Sequence, residues 1–264
     1  MKKIIYIYIL LNSFSSFGQT SSEYFQSGNN KEDNGDHYGA ITDYTKAIEL
    51  DPDAVSYNNR GFSKKNLKDY KGAIADYNKA IELNPNYAGA YANRGLAKAY
   101  LKDYNGAIKD YNKSIELDPN KAKFYYNRGL VKTYLEDYNG AITDFNKTIE
   151  LNPNDAKACY NRGWSKNKLK DYYGAIADYN KAIEINPNYV KAYYNRGLAK
   201  QKLKDFNGAI ADYNKAIELK PNYALAYNNR AIAKELSGID GCADARKAKE
   251  LGSNSDKLIG MVCN

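Results

Sequence analysis

The sequence predicts an all-α protein, an array of stacked antiparallel helix pairs, on three observations. The tripeptide Asn-Arg-Gly begins at Asn59, Asn93, Asn127, Asn161 and Asn195, 34 residues apart each time. Pro85, Pro119, Pro153, Pro187 and Pro221 keep the same spacing. Within one period, Ala209, Ile210, Tyr213, Ala216 and Ile217 fall at i, i+1, i+4, i+7 and i+8, one apolar stripe of a helix. A fixed period of this length describes units that must stack to bury their apolar faces.

Residues 1–18 read as a secretory signal peptide. Lys2 and Lys3 precede an apolar run from Ile4 to Leu11, and Ser16 and Gly18 suit the small-residue cleavage positions. The run is shorter than a membrane-spanning helix, which needs about 20 residues. No cysteine lies near Gly18 to carry a lipid. The mature chain is expected to be exported, periplasmic or secreted, with no transmembrane segment after signal cleavage.

Residues 19–252 read as seven units. The first, about residues 21–53, is one residue short. Its first helix is degraded, with Ser27-Gly28-Asn29-Asn30 in place of Arg-Gly-apolar, and its second is intact. Regular units follow at 54–87, 88–121, 122–155, 156–189 and 190–223. In the last of these, Val190 to Leu203 reads as a helix and Asp205-Phe206-Asn207-Gly208 as the turn. Lys220-Pro221-Asn222 stops the second helix, because proline cannot continue it. Gly197, lacking a side chain, lets the second helix approach closely. The seventh unit has Ala231 instead of Gly and loses register around Gly238-Ile239-Asp240-Gly241. Residues 253–264 are expected to form a capping helix, with Leu258, Ile259 and Val262 facing the last pair and Ser253 or Asn254 at its start.

This pattern of helix, turn, helix and proline stop resembles the tetratricopeptide repeat. Its motif places an aromatic, a Gly, an Ala, an aromatic, an Ala and a Pro where the third unit has Tyr91, Gly95, Ala107, Tyr111, Ser114 and Pro119, the serine being a small departure. The resemblance covers nearly the whole mature chain. It implies a right-handed superhelical solenoid whose first helices line a concave groove. It also implies a non-catalytic scaffold that binds an extended protein segment there.

Arginine is the unusual choice at repeat position 7, in Arg60, Arg94, Arg128, Arg162, Arg196 and Arg230. Asp76, Asp110, Asp144, Asp178 and Asp212 recur on the second helix. Pairs such as Arg60 with Asp76 are expected, because a partly buried arginine needs a partner. The competing reading is an arginine row for acidic ligands. Position 6 is Asn59, Asn93, Asn127, Asn161, Asn195 and Asn229, which resembles the asparagine ladder that holds a peptide backbone in some relatives. The groove-lining positions of the family supply Tyr126, Tyr160, Tyr194 and Trp164, with Lys123, Lys157, Lys191, Lys168 and Lys202. Aromatic faces beside lysines suit an acidic or aromatic-containing peptide. The competing reading is packing for the tyrosines and a solvated face for the lysines.

Cys242 and Cys263 both lie in the aberrant C-terminal region, so an exported chain is expected to join them. Cys159 stands where other units have tyrosine and reads as a buried free thiol. His37 is the only histidine. No Cys/His spacing suits a metal and no glycine loop suits a phosphate, so no enzyme, cofactor or small-molecule substrate is expected. The formal charge is +8, two units of it from Lys2 and Lys3, with a pI near 9.0. That mild bias suits an acidic protein partner and is no nucleic-acid signature by itself. A helical-repeat nucleic-acid binder remains the alternative, disfavoured by the export signal.

Overall fold

Each period folds as two helices because its two apolar stripes are separated by one fixed interruption and closed by a proline. The structure, a computed structural model, describes residues 19–263. The expected signal peptide, residues 1–18, lies outside the described residues. Among those residues there are fifteen helices and no strand, and no helix is long and apolar enough to cross a membrane.

The chain divides into two compact units that meet in sequence between Pro119 and Asn120. The first holds three pairs: α1 (Ser21–Asp33) with α2 (His37–Leu50), α3 (Ala54–Asn66) with α4 (Tyr70–Leu83), and α5 (Ala88–Tyr100) with α6 (Tyr104–Leu117). The second holds four: α7 (Ala122–Tyr134) with α8 (Tyr138–Leu151), α9 (Ala156–Lys168) with α10 (Tyr172–Ile185), α11 (Val190–Lys202) with α12 (Phe206–Leu219), and α13 (Ala224–Leu236) with α14 (Cys242–Glu250). A terminal helix α15 (Asp256–Val262) lies on α13 and α14. Within each unit, the second helix of a pair also packs on the first helix of the next pair.

The interruption is placed differently from the sequence expectation. Asp205-Phe206-Asn207-Gly208 is not the turn but the start of α12. Asp205 is the N-cap, and its carboxylate accepts the Gly208 N–H at 2.9 Å. Asp and Gly look like turn residues, yet here they are matched. A Cβ on Gly208 would lie 2.1 Å from Asp205 Oδ2. The same cap opens α2, α4, α6, α8 and α10. The turn proper is Leu203-Lys204-Asp205, with Lys204 left-handed at φ 64°. The Asp205 N–H reaches back to the Lys200 carbonyl and so satisfies one of the last carbonyls of α11.

The helices of a pair interlock where one of them has no side chain. A Cβ on Gly197 would lie 2.7 Å from the Tyr213 ring, and Gly28, Gly61 and Gly129 face Tyr44, Tyr77 and Phe145 in the same way. These rings are buried. The first pair keeps this interlock, so the segment read as degraded is a regular helix, capped by Thr20 with Gly28 buried. In the last pair the small residue changes sides. Ala231 replaces the glycine, and a Cβ on Gly241 would lie 2.5 Å from the Ala231 carbonyl oxygen. At the C-terminus Ser255, rather than Ser253 or Asn254, precedes α15. Its hydroxyl donates to Asn228 Oδ1 at 3.0 Å instead of capping. Cys242 and Cys263 are joined by a disulfide.

The buried phenols differ in how they are satisfied. Tyr213 donates to Gln201 Oε1 at 2.8 Å. One period earlier Asn167 replaces the glutamine and is a methylene shorter. There the Tyr179 hydroxyl and Asn167 Oδ1 are both buried and make no hydrogen bond among the described residues. Two outcomes follow, both read by chemical denaturation. Asn167→Gln should restore the missing bond and raise stability by about 1 kcal/mol. Gly163→Val should lower it by roughly 1–3 kcal/mol through overpacking, because a Cβ there already lies 3.0 Å from Asp178 Cβ and 3.1 Å from the Ala175 oxygen. An unchanged midpoint in either variant contradicts the corresponding contact.

Candidate functional site

The arginines are engaged within the fold. Arg60, Arg94, Arg128, Arg162 and Arg196 meet Asp76, Asp110, Asp144, Asp178 and Asp212 at 2.5 to 2.7 Å. Each aspartate is buried. A second cation closes the group: Lys64, Lys98, Lys132, Lys166 and Lys200 reach the same carboxylates at 2.8 to 2.9 Å. Arg230 and Lys234 find Asp244 across a register two residues shorter. The remaining Nη1 of Arg94, Arg162, Arg196 and Arg230 donates to Asn78, Asn146, Asn180 and Asn214 of the preceding pair. Arg94 and Arg196 also lie over Tyr91 and Tyr193, at 5.3 and 5.4 Å from the ring centres. The structural reading of the arginines therefore holds, and the lysines and asparagines that complete it were missed. Their own 34-residue recurrence was the available signal.

The asparagine row and the tyrosine row turn out to be one feature. In the second unit Asn161, Asn195 and Asn229 donate to the hydroxyls of Tyr126, Tyr160 and Tyr194 at 2.8 to 3.0 Å, each reaching back one pair. The tyrosine rings rest against Phe145, Tyr179 and Tyr213 of their own pairs at 5.8 to 5.9 Å. Burial pushes the Tyr160 and Tyr194 phenols up to about 12, so both stay protonated near neutral pH. Asn127 is half-buried on α7.

Tyr160, Asn161 and Trp164 come together. With Leu130, Thr133 and Tyr134 they line an open cleft of about 250 Å³ between α7 and α9. The Tyr134 ring is exposed. Trp164 meets Tyr138 edge-on at 5.8 Å, and Lys168 Nζ stands 5.0 Å above the indole. Lys157 lines a neighbouring recess with Asn154, Asp155, Asn186 and Tyr189. Lys123 and Lys191 are exposed at the equivalent positions of α7 and α11.

Asn93 belongs to the other unit, where asparagine takes the place of tyrosine. It donates to Asn58 Oδ1 at 2.9 Å, Asn58 to Asn59 Oδ1 at 3.2 Å, and Asn59 to Asn29 Oδ1 at 3.2 Å, where the Tyr44 hydroxyl also arrives. Asn58, Asn59 and Asn29 of this chain line a second cleft, about 490 Å³, with Tyr44, Gln26, Glu32, Asp33 and Phe62. Glu32 accepts from Ser63 and Asn66 and meets His37 Nδ1 at 3.0 Å. Sequence reasoning missed this cleft because Asn29 and Asn58, which depart from the repeat, build it together with the repeating Tyr44 and Asn59. Cys159 is buried, and burial pushes its thiol up, which keeps it from acting as a nucleophile.

Comparison with known proteins places this geometry. A family model described as "Tetratricopeptide repeat" matches residues 54–87, 122–155, 156–189 and 190–223. Related models of the same repeat match residues 98–133 and 24–53. No curated protein matches the sequence. Among solved structures, YrrB, described as a TPR protein with an unusual peptide-binding site, is 26% identical with a TM-score of 0.63, over 71% of this chain and 97% of that one. The MamA protein is 28% identical with a TM-score of 0.60, over 65% and 93%. A repeat protein from Parabacteroides merdae shares the fold over 94% and 100%, with a TM-score of 0.67 at 22% identity.

Two of the buried aspartates, Asp244 and Asp43, set an acid limit. Burial alone would raise the Asp244 carboxyl, but hydrogen bonds from Arg230 and Lys234 outweigh it and hold the group below its ordinary 3.8. Asp43 is lowered in the same way by Lys31 and Ser27. A depressed folded pKa contributes stability that is present above the unfolded value and lost as pH falls through the folded one. The melting temperature should therefore show no loss from these two groups between about pH 7 and 5, and a fall below about pH 4. Asp244→Asn should lower stability at neutral pH and make the acid limb shallower. An identical acid limb in that variant would remove Asp244 from the account.

Proposed function

The chain belongs to the tetratricopeptide repeat family, and on that premise we propose a non-catalytic scaffold that holds an extended protein segment along its first helices, the concave side of such arrays. The observation that carries this reading is the cleft of Tyr160, Asn161 and Trp164 in the second unit. An open aromatic cleft can seat one bulky apolar side chain. The phenols that accept asparagine N–H groups keep their own protons, so each can still donate to a backbone carbonyl. Exposed Lys123, Lys157 and Lys191 favour an acidic segment beside that anchor. The peptide-binding description of YrrB supports the same class of partner.

Protein–protein interaction, rather than recognition of nucleic acid, fits a repeat array whose six position-7 arginines are held by aspartates within the fold. We place the action outside the cytoplasm. The order of charge and apolar residues in 1–18 motivates this, and a disulfide suits an oxidising compartment.

The experiment is selection from a random peptide library on residues 19–264, followed by affinity and melting measurements. Acidic peptides with one large apolar residue should be enriched. Trp164→Ala should weaken them by about tenfold or more with the fold retained. Lys157→Glu with Lys191→Glu should slow association and flatten its salt dependence. Unchanged binding in both variants would move the site off this face. Capture of RNA with steep salt dependence, and of no peptide, would replace the reading with the nucleic-acid one.

A further inference from the structure

The last pair is the one whose interlock, among the described residues, has no aromatic ring. Ala231 and Ala245 stand where Gly197 and Tyr213 stand in the pair before. Two methyl groups leave most of a ring's volume unfilled, and α15 fills it. Val262 is buried with Ala231 and Ala245, and Leu258 and Ile259 pack on the same cluster. Seven residues are too few to hold a helix by themselves. Besides this packing, three of the ties at α15 bear on how it is held. These are the Ser255 hydroxyl on Asn228, an exposed Lys249–Asp256 pair, and the covalent bond from Cys263 to Cys242, the first residue of α14. By contrast α14 is anchored independently, since Asp244 holds Arg230 at 2.5 Å and Lys234 at 2.8 Å.

We propose that the Cys242–Cys263 disulfide is a redox latch on a detachable end cap. With the bond closed, α15 covers the Ala231–Ala245 face. A dithiol reductant passes two electrons and two protons to the bond, leaving two cysteine thiols and its own disulfide. The 21-residue separation bridged by the bond is then free to open, α15 detaches, and the apolar end of the second unit meets water. α14 stays in place through Asp244.

Hydrogen exchange on the full chain, before and after dithiothreitol, tests this. Amides of 256–262 should exchange about a hundredfold faster after reduction, the effect of losing closure of a loop of this size. Those of 244–250 should keep their protection. Cys242→Ser with Cys263→Ser should reproduce the reduced pattern without reductant. Thiol labelling supplies the control, because buried Cys159 reports wider unfolding. Cys242 and Cys263 should label quickly after reduction while Cys159 stays slow. Unchanged protection of 256–262 would overturn the proposal, since packing alone would then hold the cap. Loss of protection in 244–250 together with rapid Cys159 labelling would also overturn it, since the bond would then support the whole unit rather than latch its end.

Discussion

Each regular second helix carries an aspartate that is almost wholly buried, and a buried carboxylate persists only with cations and hydrogen bonds around it. The Arg and Lys one turn apart on the facing helix meet that need. Their geometry fixes much else. Two cations four residues apart must face one carboxylate, so the two helices cannot slide or rotate past each other. The arginine's spare nitrogen then reaches an asparagine of the preceding pair, so the same group ties neighbours together. Removing one partner of such a group costs about 3–5 kcal/mol. That scale explains why the last pair retains an aspartate, Asp244, although its register is two residues shorter.

Surface and structure share residues in the second unit. Tyr160 packs on Tyr179, accepts from Asn195 and also walls the cleft beside Trp164. A ladder made only for a ligand would leave its amides open. Here one amide hydrogen joins neighbouring pairs while the phenol keeps its own proton. Ligand contacts built this way are positioned by the stacking itself, and little side-chain freedom is lost on binding.

Much of this was legible in the sequence, because a duplicated unit exposes its own constraints. The period located both helices of each pair. The Arg and Asp positions named the buried ion pair, and Gly197 with its equivalents marked the helix crossing. What escaped were features that need three dimensions. Lys200 and Asn180 recur with the period, but their role shows only when the carboxylate and the arginine are seen beside them. Asp205 and Gly208 carry turn chemistry, and only geometry shows that they cap a helix. In the first repeat, Asn29 looked like decay of the motif, and it lines a cleft with Glu32, a residue for which the sequence carried no signal.

The cap glycines have a consequence for engineering. Replacing a helical glycine by alanine is among the commonest stabilising substitutions, with a gain of roughly 0.5–1 kcal/mol. At Gly39, Gly72, Gly106, Gly140, Gly174 and Gly208 the rule runs against the cap. The added methyl would occupy space already held by the capping carboxylate, 2.1 Å away. Each cap must move or break to admit it, so the propensity gained is offset by the loss of a bond to a charged acceptor. A consensus built from ordinary helices would thus misjudge the same position six times over. In this chain stabilisation has to be designed on the Asp–Gly couple as a single element, changing both members or neither.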